Sequence, residues 1–247
     1  MKIRSILISQ PRPETEKNPY NDLAKKYNLK IDFRPFVQVD GIPAKDFRRD
    51  RVDINCFSAI IFNSRTSVDH FFRMCEEMKI TIKDTWKYFC ISESIAFYLQ
   101  KYIVYRKRKI FFGNSTFDDL MDYIHRFPNE KYLVPLSEVH KNEIPDKLCA
   151  ANIEFSKAIL YKTVSADLSD LKNVNYDVLV FFSPAGVASL LQNFPDFVQN
   201  ETCIGAFGPA TAKAVENHKL RLDLMAPVPE APSMTAALEQ FVKVKNK

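Results

Sequence analysis

The feature that most constrains this chain is a repeated unit. In it a short apolar run ends in a serine and passes straight into an amphipathic stretch. Ala59-Ile60-Ile61-Phe62-Asn63-Ser64-Arg65-Thr66-Ser67-Val68 parallels Val178-Leu179-Val180-Phe181-Phe182-Ser183-Pro184-Ala185-Gly186-Val187. A second unit follows each copy at similar spacing: Phe89-Cys90-Ile91-Ser92-Glu93-Ser94-Ile95-Ala96 and Ala206-Phe207-Gly208-Pro209-Ala210-Thr211-Ala212. A third correspondence relates Ile6–Pro35 to Leu133–Tyr161, each a strand, a helix and an extended segment. Apolar runs alternating with helical periodicity mean buried parallel strands joined by helices. The expected class is therefore α/β, with two similar lobes, each a parallel sheet flanked by helices.

The same periodicities predict strands over 5–9, 58–62, 88–91, 131–135, 177–182 and 202–207, with extended segments over 30–39 and 155–164. Helices are expected over 19–27, 67–78, 93–102, 143–150, 186–194, 210–217 and 231–244. The extended segments near 34–39 and 158–164 are where the chain would cross between lobes as a double connection. Two arrangements satisfy this pattern: sequential halves, or one lobe inserted in the other.

Composition narrows the function. With 247 residues, 46% of them apolar, the chain can bury a real core and is not disordered. A net charge of +5, dispersed along the chain, argues against nucleic acid as a partner and suits an anionic ligand. There are only five glycines, and neither GxGxxG nor GxxxxGK[ST] occurs, so no nucleotide cofactor is expected. The five cysteines form no CxxC pair or Cys/His cluster, and the four histidines show no metal spacing; neither a metal nor a disulfide framework is expected. Free cysteines suit a reducing, cytoplasmic compartment. The N-terminal apolar run is too short for a signal peptide, and no stretch approaches the roughly 18 apolar residues of a membrane span.

In open parallel sheets, ligands bind beyond the carboxyl ends of the strands. Ser64, Ser92, Ser183 and the Gly208–Thr211 turn all fall at such ends. There the first N–H groups of each following helix are unpaired and its dipole is positive, which suits carboxylates or phosphates. The structural alternative is that each serine is an N-cap. Tyr161, in Leu160-Tyr161-Lys162-Thr163, stands where the chain returns between lobes. A phenol with an ordinary pKa of about 10 is a proton donor at neutral pH; the structural alternative is a half-buried strand aromatic. His70, His125, His140 and His218 are read as solvated, and Arg106–Lys109 as a solvated edge segment. No Ser/His/Asp arrangement is supported by spacing.

Taken together these residues resemble the uroporphyrinogen-III synthase family over essentially the whole chain. Phe62-Asn63-Ser64-Arg65 and Phe181-Phe182-Ser183-Pro184-Ala185-Gly186 are similar to its strand-end serine motifs. Ile204–Ala214, with Gly208 and Thr211, is similar to its Gly-x-x-Thr-Ala signature, Tyr161-Lys162-Thr163 to its linker Tyr-x-Thr, and Ala226–Ala236 to its closing loop. The resemblance implies one lobe from residues 1–37 and 165–247, an inserted lobe from 38–164, and a two-stranded connector. It implies a monomeric cyclising lyase of heme biosynthesis. Such an enzyme converts hydroxymethylbilane to uroporphyrinogen III, inverting the terminal pyrrole ring and losing water, with no cofactor, metal, nucleic acid or membrane. Carried over by motif, Tyr161 would be the acid, and Ser64, Arg65, Ser92, Ser183, Pro184, Gly208 and Thr211 would bind substrate. The chain departs from the family pattern at Ser92 and Ile95, where Gly and Thr are usual, so Ser92 or Ser94 would supply the polar contact there. The alternatives are a two-lobed binding protein for an anionic ligand, or a family member that has lost activity.

Overall fold

The computed structural model describes residues 2–13, 18–172 and 175–246. The chain opens with β1 (Ser5–Ile8), α1 (Pro19–Tyr27) and β2 (Lys30–Phe33). Local chemistry bounds α1: the Asn18 side chain accepts the Tyr20 N–H, Pro19 occupies the first turn, and Asn28 closes the helix in the left-handed region at φ 52°. Next come β3 (Val37–Gly41), the single turn α2 (Ala44–Phe47), β4 (Ala59–Phe62), α3 (Arg65–Glu77), β5 (Lys87–Cys90) and α4 (Glu93–Tyr98). They are followed by β6 (Ile110–Phe112), α5 (Phe117–Ile124), β7 (Tyr132–Ser137), α6 (Glu143–Ala150) and β8 (Phe155–Ser165). The last stretch holds β9 (Val178–Phe181), α7 (Pro184–Asn193), β10 (Cys203–Phe207), α8 (Pro209–Asn217), β11 (Leu224–Ala226) and α9 (Met234–Lys245).

These elements divide into two compact units, one of Met1–Gln38 with Val164–Lys247 and one of Val39–Thr163. The first contains a five-stranded sheet of order β11-β10-β9-β1-β2, and the second belongs to a six-stranded sheet of order β3-β8-β7-β4-β5-β6. The ladders β2–β1–β9–β10–β11 and β8–β7–β4–β5–β6 are parallel throughout. Pairing β1 with β7, β2 with β8, and β9, β10 and β11 with β4, β5 and β6 superposes the two orders. The winding direction reverses between β1 and β9 in one sheet and between β7 and β4 in the other. Such reversals leave a crevice outside the carboxyl ends of the two strands, where this class of sheet binds ligands.

Both faces of the second sheet are covered, which is why its strands read as continuous apolar runs. Successive side chains of a strand point to opposite faces. Ile60, Phe62, Tyr88 and Cys90 therefore enter one buried cluster with Phe71, Phe72 and Trp86, while Ala59, Ile61 and Phe89 enter another with Phe117, Leu120 and Tyr132. In the first sheet, Ile6, Ile8, Val178 and Val180 pack against α9, and Leu7, Leu179, Phe181 and Ile204 against α7 and α8.

Some expectations of element boundaries are corrected. The extended segment over 30–39 is two strands, broken at Arg34-Pro35, where the proline cannot donate to a ladder. The helix predicted over 93–102 ends at Tyr98 and tightens into a turn over Leu99–Lys101. The edge strands β6 and β11, three residues each, and the four-residue α2 were not anticipated, being too short to show a period. Phe62 is fully buried, edge-on to Phe71 at 5.5 Å and stacked on Tyr88 at 6.3 Å. Phe62→Ala is expected to cost about 3–5 kcal/mol of folding free energy, read by urea denaturation; a loss below about 1 kcal/mol would mean the aromatic cluster refills the space.

Candidate active site

The Val39–Thr163 unit carries a cavity of about 390 Å³ at its winding reversal, beyond the carboxyl ends of β4 and β7. Asn63 and Ser64 enter it from the end of β4, Ser137 from the end of β7, and Tyr161 from β8. Ile91, Phe117 and Ile144 supply apolar wall, and His140, Lys141 and Glu143 supply charge and polarity at the loop after β7. Val139, also lining the cavity, is 86% exposed, unusual for an apolar side chain.

Tyr161 is buried, and burial pushes its phenol above the ordinary value; a hydrogen bond with the Ser64 side chain offsets part of the rise. The phenol keeps its proton at neutral pH and can donate it. Ser64 also caps α3: its hydroxyl accepts the Ser67 N–H at 3.0 Å, while the Ser67 hydroxyl accepts the Ser64 N–H. Capping and site placement are one device here, because the cap fixes the hydroxyl at the strand end.

His70 stacks on Tyr161, ring centroids 4.9 Å apart at 18°. This corrects the expectation that the histidines are all solvated. His70 is half-buried on the flank of α3, beside the inward stripe of Val68, Phe71, Phe72 and Cys75. Its Nδ1 accepts a hydrogen bond from Arg73 Nε at 3.1 Å, which puts the ring proton on Nε2. Burial first, then the Arg73 charge, holds the imidazole below its ordinary pKa, with Asp69 acting weakly the other way. His140 is also engaged: Nδ1 faces the Ser137 carbonyl at 2.8 Å, which can only accept, so the proton sits on Nδ1 and Nε2 faces Lys157 Nζ at 3.4 Å.

The remaining sequence-predicted residues are distributed differently. Arg65 is exposed, its guanidinium over the Tyr98 ring at 5.4 Å. Ser92 precedes α4 without a side-chain cap and faces Ser94 at 3.1 Å; it does not line the cavity. In the other unit Ser183 caps α7, accepting the Gly186 N–H at 3.2 Å, and Pro184 is exposed in the first turn. Gly208 adopts φ +84°, a conformation that strains any L side chain, and its N–H bonds the Ala226 carbonyl at 2.6 Å. Thr211 is only 2% exposed, so its hydroxyl lies inside rather than at the strand-end surface. The strand ends thus bring Ser64 and Tyr161 together in one cavity. Ser137 ends an apolar run just as Ser64 does, and that signal could have found it. His140, Lys141 and His70 had no such signal. Among the described residues no group of three or more His, Cys, Asp or Glu is placed to hold a metal, and no helix is long and apolar enough to cross a membrane.

Two doubly wound α/β units, one with a phenol at the reversal of its sheet, define a class of ligand-binding α/β protein in which a proton donor faces the cavity. The family model described as uroporphyrinogen-III synthase HemD matches residues 18–236, and the chain belongs to that family. It is 26% identical over 144 residues to the uroporphyrinogen-III synthase of Saccharomyces cerevisiae, a match covering 52% of this chain and 52% of that protein. The match therefore spans about half the length of the curated relative. The fold is similar to that of uroporphyrinogen-III synthetase from Helicobacter pylori, with a TM-score of 0.59 and 17% identity, covering 98% of this chain and 100% of the other.

The cap and the phenol make separate expectations. Ser64→Ala should lower stability by about 0.5–2 kcal/mol in denaturant titration, the range for a lost N-cap. In ultraviolet difference titration, the phenol step missing from Tyr161→Phe should lie above the ordinary value of about 10; a step below that value would contradict its burial.

Proposed function

We propose that the chain cyclises hydroxymethylbilane to uroporphyrinogen III, with the two units acting as the paired lobes of its family and β3 and β8 as the two-stranded connector. The observation that carries the reading is Tyr161, a buried phenol kept protonated, beside Ser64 in a cavity at a winding reversal. The phenol gives its proton to the departing hydroxyl as the pyrrole nitrogen's electrons expel it as water. The proton released when the attacked terminal ring regains aromaticity balances the one given. Metal or redox chemistry is not called for, since the net change is loss of water and a rearranged carbon bond.

Positioning is the larger task, because the linear substrate closes by itself to the unturned isomer. The apolar wall of Ile91, Phe117 and Ile144 suits a pyrrole face, and Lys141 suits a carboxylate side chain. Ser64 contributes a hydroxyl there. Arg65 and Ser92 are assigned further carboxylates on the same unit. Ser183, Pro184, Gly208 and Thr211 are assigned to substrate on the other unit, through the backbone N–H groups opening α7 and α8. The buried Thr211 then acts through its main chain rather than its hydroxyl.

The test is product analysis with freshly generated hydroxymethylbilane, oxidation, and chromatographic separation of the uroporphyrin isomers. Isomer III above a protein-free control is expected; isomer I alone would leave a ligand-binding protein without the chemistry. Tyr161→Phe should keep the fold, by circular dichroism, and slow formation of isomer III by about 10²-fold or more, as for a lost general acid. An unchanged rate would remove Tyr161 from that role.

A further inference from the structure

Behind Tyr161 lies a chain of contacts that the binding and acid roles do not use. Arg73, one turn along α3 from His70, donates through Nε to His70 Nδ1 and through Nη2 to two main-chain carbonyls, Ile42 at 2.9 Å and Leu160 at 3.0 Å. Leu160 immediately precedes Tyr161 in β8. The third arm of the guanidinium, Nη1, bonds Glu77 Oε1, and Glu77 Oε2 in turn accepts the Ala44 N–H at 3.0 Å. One planar fork thus ties α3, the end of β3 and the residue before the phenol. Gly41 leaves room for this fork: a Cβ there would lie 2.6 Å from Arg73 Cζ, so the guanidinium would have to shift.

We infer that His70 and Arg73 are positioning residues for the reaction, holding the Tyr161 phenol in register with the cavity by ring stacking and by the backbone anchor at Leu160. This rests on the reading of Tyr161 as the acid. A phenol on an edge-proximal strand has two rotatable side-chain bonds, and a displacement of the order of 1 Å at a reacting proton costs about 10²-fold in rate. The stacked imidazole removes one side of that freedom. Arg73 fixes the imidazole in turn, because a ring that accepts at Nδ1 cannot rotate about its own axis without losing the bond. His70 does not line the cavity, so it acts through Tyr161 and not on the substrate.

The experiment is a double-mutant cycle on the full chain, with hydroxymethylbilane as substrate and kcat and KM measured separately. His70→Ala should lower kcat about tenfold with KM within about twofold, and His70→Phe, which restores a stacked ring, should recover kcat to within about threefold of wild type. In the Tyr161→Phe background His70→Ala should add less than about twofold, since the phenol it positions is gone. Gly41→Ala, which touches neither ring and displaces the guanidinium, should lower kcat in the same Tyr161-dependent way and carries the test if His70→Ala fails to fold. An unchanged kcat in His70→Ala, or an equal loss in both backgrounds, overturns the inference while leaving Tyr161 as the acid. A wild-type rate in Tyr161→Phe instead removes the acid itself, and the inference falls with it.

Discussion

Parallel strands cannot be joined by a tight turn, so each must hand the chain to a crossover that returns it to the starting edge. The placement of the strand-end residues follows from that requirement. β4, β5, β7, β9 and β10 each end at the same edge of their sheet as their parallel neighbours, and each is followed by a helix. The residues at those junctions are held by the capping chemistry that helix starts require, which is why Ser64 and Ser183 are capping residues and candidate ligand contacts at once. Where the winding direction reverses, no helix covers the strand ends, and a cavity results between β4 and β7.

The same constraint accounts for the repeat. A unit of strand, helix and strand buries its apolar face only when more strands are added on either side. Two such assemblies with the same strand order occur in this chain, one of them built from both chain ends. Each forms its own clusters on both faces of its sheet, so the aromatic residues of the Val39–Thr163 unit stabilise the strands that carry the site. Removing Phe62 would loosen β4, and with it the strand end that presents Asn63 and Ser64.

Much of this was legible in the chain before any coordinates. The apolar runs ending in serine located β4, β5 and β9, and the spacing Pro19–Tyr27 and Glu143–Ala150 marked α1 and α6 at their observed bounds. Tyr161 stands out in the sequence by its place in the returning segment, and it enters the cavity beside Ser64. Short edge elements such as β6 and β11 escaped, because three residues carry no period. The motif position of Thr211 suggests a polar contact, whereas helix α8 turns its side chain inward.

The sequence by itself determined the alternation of strands and helices, the duplicated unit, and the identity of the residues at the strand ends, since these depend on local periodicity and capping. Only the tertiary structure decided which strand ends are neighbours. That β7 pairs with β4, bringing Ser137 and the loop of His140 and Lys141 to Ser64, is a long-range register with no local signature. The same holds for His70 against Tyr161 and Arg73 against the Leu160 carbonyl. Contacts between residues some ninety positions apart arise from sheet order and side-chain packing, and neither is written in the spacing of one helix.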